Sequence, residues 1–165
     1  MTAWVNSDGL AVKFGLDQSK VADGGFSGCE SDEKELTVEI NGADVPTTDA
    51  PVNIVLAIPS GAQVTEAKLY VRTAFTSSTT NAALDIGLML DDNDGTYSTY
   101  DDDGIDAAIA RTALTAGAQI ASDGAKIGPT ITDATSGLPL VVSVGYQNGA
   151  FTAGEADLVI KYRLT

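Results

Sequence analysis

The stretch ADLVIKYRL at residues 156–164 carries an apolar side chain at every even position. The odd positions between them are charged, except for Val159. Successive side chains of a β-strand point to opposite faces of its sheet, so this period of two predicts a strand with one buried face.

The same alternation recurs along the chain, and clusters of Gly, Pro, Asn and Asp separate the repeats. Seven apolar rows result, at residues 10–16, 36–40, 52–58, 67–75, 84–90, 138–146 and 156–164. Seven half-buried strands predict an all-β protein, a two-sheet antiparallel sandwich of the jelly-roll type. An immunoglobulin-type arrangement stays open, although no Cys…Trp…Cys pattern supports it.

Two segments depart from the alternation. Residues 104–114 place their apolar side chains at helical spacing, behind a capping Asp103 and ahead of Gly117, which predicts one short α-helix. Residues 17–35 are rich in glycine and charge, which predicts a long loop. A length of 165 residues fits one domain, so we expect residues 1–165 to form a single β-sandwich.

The charge balance limits the partners. The chain has 9 Lys and Arg against 23 Asp and Glu, so binding to nucleic acid or to an anionic membrane is disfavoured. The acidity mainly favours solubility, with a basic partner or bound cations as the alternative. No membrane span or secretory signal is encoded, and Cys29 is the only cysteine. We therefore expect a chain that is made and folds in a cytoplasm without disulfides.

Catalysis is disfavoured by what the sequence lacks. The chain has no histidine, which removes Ser-His-Asp and Cys-His pairs and the commonest general base. No nucleophile elbow or phosphate-binding loop is present. Carboxylate pairs of the glycosidase type stay possible, but aromatic residues make up only 6% of the chain. We predict that the protein is not an enzyme and needs no cofactor.

Three aromatic residues and one acidic segment are candidates for binding. Trp4, the only tryptophan, and the tyrosines Tyr97 and Tyr100 could contact a partner subunit, although packing within the chain is the simpler interpretation. Seven aspartates crowd residues 91–106 without a basic residue among them. A solvated turn followed by a helix start explains them, while an irregular Ca²⁺ site or a basic partner is the alternative.

Five segments of the chain resemble structural proteins of tailed phages that infect marine and freshwater bacteria. They are AWVNSDGLAVKFG at 3–15, DDGIDAAIA at 102–110, LTAG at 114–117, DGAKIG at 123–128 and GEADLVIKY at 154–162. The resemblance implies a phage head decoration, or cement, protein. Such proteins are commonly jelly-roll-like homotrimers on the outside of the capsid, where they bridge subunits of the major capsid protein. None of the five segments carries a catalytic motif.

The expected function is therefore that of a virion protein on the capsid exterior, assembled in the host cytoplasm. Another virion role, in a tail, fibre or head spike, is the first alternative. A glycan-binding β-sandwich module is the second, and it would depend on Tyr97 or Tyr100.

Overall fold

The computed structural model describes residues 3–5, 11–13, 33–52, 56–92, 94–131 and 137–164, with side chains from residue 33 onward. These residues fall in two compact units, Met1–Asp32 and Glu33–Thr165. In the first unit, β1 (Ala3–Val5) and β2 (Ala11–Lys13) form an antiparallel pair in which Trp4 lies opposite Val12. The rest of the apolar row at 10–16 lies outside the described residues. A single domain over residues 1–165 stays a prediction.

The described residues of the second unit form nine strands and a short 3₁₀ helix, η1 (Gly42–Asp44). The strands are β3 (Lys34–Asn41), β4 (Ala50–Pro51), β5 (Ala57–Ile58), β6 (Ala62–Ser77), β7 (Ala83–Asp91), β8 (Tyr97–Ala110), β9 (Gln119–Ala121), β10 (Leu140–Gln147) and β11 (Phe151–Leu164). The loop predicted at 17–35 falls outside the described residues up to 32, and β3 already occupies its last two positions.

These strands form two antiparallel sheets. One sheet has the order β3–β11–β6–β9, and the other has the order β4–β10–β7–β8, with β5 also paired to β10. The pairs β3 with β11, β4 and β5 with β10, β6 with β9, and β7 with β8 alternate between the two sheets. This is a long antiparallel hairpin rolled up with β7 and β8 at its tip, which is a jelly roll. The predicted all-β sandwich is confirmed, and the strand order makes it a jelly roll.

The hydrophobic core lies between the two sheets and follows the predicted rows. The four rows at 36–40, 67–75, 84–90 and 156–164 form β3, β6, β7 and β11, and the row at 138–146 forms β10 from Leu140 onward. Val38, Leu69, Leu88 and Leu158 are fully buried in this core. The row at 52–58 is realised only in part, as β5, and residues 53–55 lie outside the described residues. Ile58 lies opposite Leu140, so the short strand β5 still pairs with β10 at the edge of the sheet.

The helix predicted at residues 104–114 is wrong, because β8 runs to Ala110 and a turn follows. A β-bulge explains the error. Between the pairs Leu84–Ile109 and Ile86–Asp106, two steps along β7 match three along β8, and Ala108 takes up the extra residue at a φ of 52°. The bulge interrupts the alternation of the strand, while Ile105 and Ile109, four residues apart, both lie in the core. That spacing is also the spacing of a helix face.

Candidate functional site

The candidate site lies on the outer face of the β4–β10–β7–β8 sheet, where parts of the chain cover the middle strands. Every residue of β7 from Ala83 to Met89 and of β10 from Leu140 to Gly145 is buried. The buried residues that are not part of the core between the sheets include Met89, Val141 and Ser143. A sheet exposed to solvent on its outer face would leave such alternate positions accessible. The outer face of this sheet is therefore covered by other segments of the same chain.

One covering segment is a large bulge in β8. Ile86 lies opposite Asp106 while Leu88 lies opposite Asp101, so two steps along β7 match five along β8. The bulge rests on Gly87, where a side chain would overlap the backbone carbonyl groups of Asp101 and Asp102. A glycine inside a strand often marks such a close backbone approach.

The bulge is also held from its other side. The amides of Gly124 and Lys126 donate to the carbonyl oxygens of Ile105, at 2.9 Å, and Gly104, at 2.8 Å. These backbone hydrogen bonds fix the carboxylates of the bulge in place.

The second covering segment is the turn that leads into β4. The Tyr146 amide donates to the Pro46 carbonyl oxygen at 3.1 Å, and the Thr47 hydroxyl donates to the Tyr146 hydroxyl oxygen at 2.6 Å. Asp49 follows and lays its carboxylate on Gly145, where no other residue type would leave room for it. The turn is thereby fastened to β10 on both sides of Thr48.

Between the turn and the bulge lies a cavity of about 290 Å³. Oxygen atoms dominate its lining, and none of the eight lining residues is basic. They are Thr47, Thr48, Asp49, Asp85, Thr99, Asp102, Tyr146 and Gln147. Three carboxylates from three different segments therefore share one small space without a cation among the side chains that line it.

The carboxylates of Asp49 and Asp85 are held differently. Asp85 is 7% exposed, and its Oδ1 accepts a hydrogen bond from the Ala108 amide at 2.8 Å. The Oδ2 of Asp49 is buried and has no hydrogen-bond partner among the described residues. Burial raises the pKa of Asp49 to about 6, with further contributions from the charges of Asp102, Asp85 and Asp103. Ionising a buried carboxyl is unfavourable, and neighbouring negative charges make it more so.

A second acidic group lies beside the cavity. Carboxylate oxygens of Asp101, Asp102 and Asp103 lie within 4.8 Å of one another. The pKa of Asp103 is raised, first by a hydrogen bond with the Asp101 carboxyl group and then by burial. Lys126 forms an ion pair with Asp101 at 3.1 Å and lies 4.9 Å from the centre of the Tyr100 ring. Among the described residues Lys126 thus pairs with this group, and a Ca²⁺ site in residues 91–106 stays the untested alternative.

The solvated turn and helix start predicted for these aspartates are wrong for most of the segment. Between β7 and β8, the Asp92 amide donates to the Thr96 carbonyl oxygen at 3.2 Å, and Asp94 and Gly95 form a bend. Asp101, Asp102, Asp103 and Asp106 all belong to β8. Asp106 is 6% exposed, and its burial raises its pKa.

Two of the three predicted interface residues lie in β8, and the third lies in β1. Tyr97 begins β8 opposite Asp91 and is half-buried. Tyr100 packs against the core and lies under Lys126. Trp4 is in β1, and its side chain lies outside the described residues. The interface role of all three stays a prediction.

Sequence reasoning missed Asp49 and Asp85, the two most enclosed carboxylates of the cavity. A signal for them is present in the glycines of two apolar rows. Gly87 lies between apolar residues of the row at 84–90, and Gly145 lies between apolar residues of the row at 138–146. Both glycines lie where another segment crosses the sheet. In the described part of the chain, no helix has the length and apolar character needed to cross a membrane.

The fold is similar to that of chains in two phage capsid structures. The match to a chain of the cyanophage Pam1 capsid asymmetric unit has a TM-score of 0.57 and 20% identity, and it covers 92% of this chain and 98% of that one. The match to a chain of the capsid of Ralstonia phage GP4 has a TM-score of 0.54 and 20% identity, and it covers 83% and 87% of the two chains. At this identity the likeness establishes a shared fold. No family model matches the chain, and no curated protein matches it.

Proposed function

We propose that this chain is a structural protein of a phage virion, and specifically a decoration or cement protein on the outside of the head. The observation that carries the proposal is the fold match to chains of two phage capsids over most of both partners. Such a protein would be made and assembled in the host cytoplasm.

The length of the match favours an accessory role within the capsid. The Pam1 chain is covered almost completely by a chain of 165 residues, so the two are of similar length. A small chain that is mostly one jelly roll suits a subunit placed on a shell formed by other proteins. We infer that its partner is the major capsid protein, whose neighbouring subunits it bridges, and that it acts as a homotrimer.

Bridging would stabilise the shell without any chemistry. A protein that binds the assembled capsid and not its separated subunits shifts the equilibrium toward the assembled form by mass action. The net charge of −14 would keep decorated particles soluble and apart. The absence of histidine from the whole chain is consistent with a binding protein rather than an enzyme.

Tyr97 is the best of the three aromatic candidates for a contact residue. It lies at the start of β8, beside the turn at 92–96, and is half-buried. Tyr100 packs against the core of its own chain and lies under Lys126. Aromatic residues contribute strongly to protein interfaces when a partner covers them.

The test is to add the purified protein to undecorated capsids, sediment them and then heat them. We expect co-sedimentation and a higher temperature of capsid rupture. Tyr97→Ala should weaken both effects, whereas Tyr70→Ala, on the outer face of the other sheet, serves as a matched control. Absence of binding and of any shift in rupture temperature would refute the decoration role, and binding to separated tails instead would move the protein to another part of the virion.

A further inference from the structure

The cavity beside β4 has features that an inert surface depression lacks. Its three carboxylates come from the turn before β4, from β7 and from β8, and the chain brings them together through two glycines that allow close approach. The Asp49 carboxyl group is the one of the three that lies on Gly145, and its buried Oδ2 has no hydrogen-bond partner among the described residues.

We propose that the Asp49 carboxyl group is a proton-dependent latch, which holds Thr48 and Asp49 against β10 when protonated and releases these two residues when ionised. The neutral acid can lie on Gly145 beside Asp85 without electrostatic repulsion. The carboxylate, in contrast, leaves an uncompensated charge in a partly dehydrated place.

The described residues that face Asp49 give it no counter-ion. β7 contributes Asp85, β8 contributes Asp102 and, farther away, Asp103, and β10 contributes the uncharged phenol of Tyr146. Lys126 is paired with Asp101. Each of these neighbouring acids, when ionised, therefore favours the protonated form of Asp49.

The turn is built so that Asp49 can leave without unfolding the sheet. Before Asp49 in the chain, Pro46 and Thr47 are hydrogen-bonded to Tyr146. After it, Ala50 of β4 lies opposite Val144 of β10. Only Thr48 and Asp49 lie between these fixed points. Release would therefore be a local opening of the cavity rather than a change of fold.

The sign of the pH effect follows from the raised pKa of about 6. The folded protein holds the Asp49 proton more tightly than the unfolded chain does. The stabilisation is therefore complete below the ordinary value of 3.8 and is lost as the pH rises through about 6. Above that range this group adds no further pH dependence.

The first experiment is an NMR titration of the purified chain in the presence of a chelator, which removes divalent cations. We expect one aspartate side-chain carbon to titrate with a midpoint near 6 and to be missing from Asp49→Asn. The amide signals of Thr47, Thr48 and Gly145 should shift with the same midpoint in the wild type and stay unchanged in the variant. Asp102→Asn should move the midpoint to lower pH, because it removes one repelling charge from an exposed position.

The second experiment compares melting temperatures at about pH 5 and about pH 7.5. Asp49→Asn should gain stability relative to the wild type at the higher pH, and Asp44→Asn, in the exposed 3₁₀ helix η1, should show no such pH-dependent gain. The latch is refuted if no carboxyl signal near pH 6 depends on Asp49, or if the amides of the turn do not follow it. Both experiments use the isolated chain, so they stand or fall independently of any binding to capsids.

Discussion

The outer faces of the two sheets solve the same electrostatic problem in opposite ways. The ion-pair face, on the β3–β11–β6–β9 sheet, sets its acids beside bases: Glu66 binds Lys68 and Lys161, and Arg72 binds Glu39 and Asp157. The acidic face, on the β4–β10–β7–β8 sheet, sets Asp49, Asp85 and Asp102 around one cavity whose lining has no base. The comparison shows that the two faces differ in whether their acids lie beside bases.

The pKa values of the carboxyl groups reflect this difference between the two faces. Hydrogen bonds from Lys68 and Lys161 lower the pKa of Glu66, which stays ionised on the ion-pair face. Burial and neighbouring carboxylates raise the pKa of Asp49 on the acidic face. The ionised form of the same chemical group is thus favoured on one sheet and disfavoured on the other.

The backbones differ as well. Along β11, residues 156–161 pair with β3 and with β6 in unbroken register, which places charged residues side by side in rows. β8 leaves the register of β7 three times within its length. Regular pairing produces the ion-pair face, and bulging produces the acidic face.

The largest expected effect comes from removing the close approach that the acidic face needs. Gly87→Ala places a methyl group where the carbonyl groups of Asp101 and Asp102 now lie, so the bulge has to move. We expect a loss of about 2–3 kcal/mol in the free energy of unfolding, measured by chemical denaturation. Ser143→Ala is the matched control, since Ser143 lies opposite Gly87, is fully buried and has a hydroxyl without a partner among the described residues.

Removing an unpaired buried hydroxyl should be neutral or slightly stabilising. If Gly87→Ala were no more destabilising than Ser143→Ala, the bulge would not rest on β7, and the acidic face would lose its structural basis.

A smaller effect of opposite sign is expected at Ala108. Its φ of 52° is unfavourable for a residue with a Cβ, so Ala108→Gly should leave stability unchanged or raise it by up to about 1 kcal/mol. Ala107→Gly, one residue earlier and equally exposed, should instead lose about 0.5–1 kcal/mol. Equal losses at both positions would mean that the segment has a regular backbone, as in the helix predicted from its sequence. Thermal and chemical unfolding of the two variants would decide between these outcomes.

The sequence predicts regular pairing well and bulged pairing poorly. The rows that form β3, β6, β7 and β11 are visible because each apolar residue follows the last at a distance of two, which is what unbroken register produces. β8 has no such row, since its bulges interrupt the alternation, and the spacing of four between Ile105 and Ile109 fits a helix face as well as a strand face. The cavity could not be predicted from the sequence for a related reason. Asp49, Asp85 and Asp102 are far apart in sequence, and only the rolled hairpin brings them together. Gly87 and Gly145 are the local trace of that approach.

The smallest effect is expected where an ion pair is lost in solvent. Arg72→Gln removes the pairs to Glu39 and Asp157 on the ion-pair face, but all three side chains are substantially exposed. Exposed pairs contribute little and are screened by salt. The melting temperature should therefore fall only slightly at low ionic strength and match that of the wild type at high salt.

Lys126→Gln is the counterpart on the other sheet, and it should cost more at low ionic strength. Lys126 is less exposed than Arg72, and its loss leaves Asp101, Asp102 and Asp103 facing one another without the cation that now pairs with Asp101. High salt should recover part of that loss by screening the repulsion. If Arg72→Gln proved the more damaging of the two, stability would depend on the ion-pair face, and the acidic face would tolerate its own repulsion without Lys126.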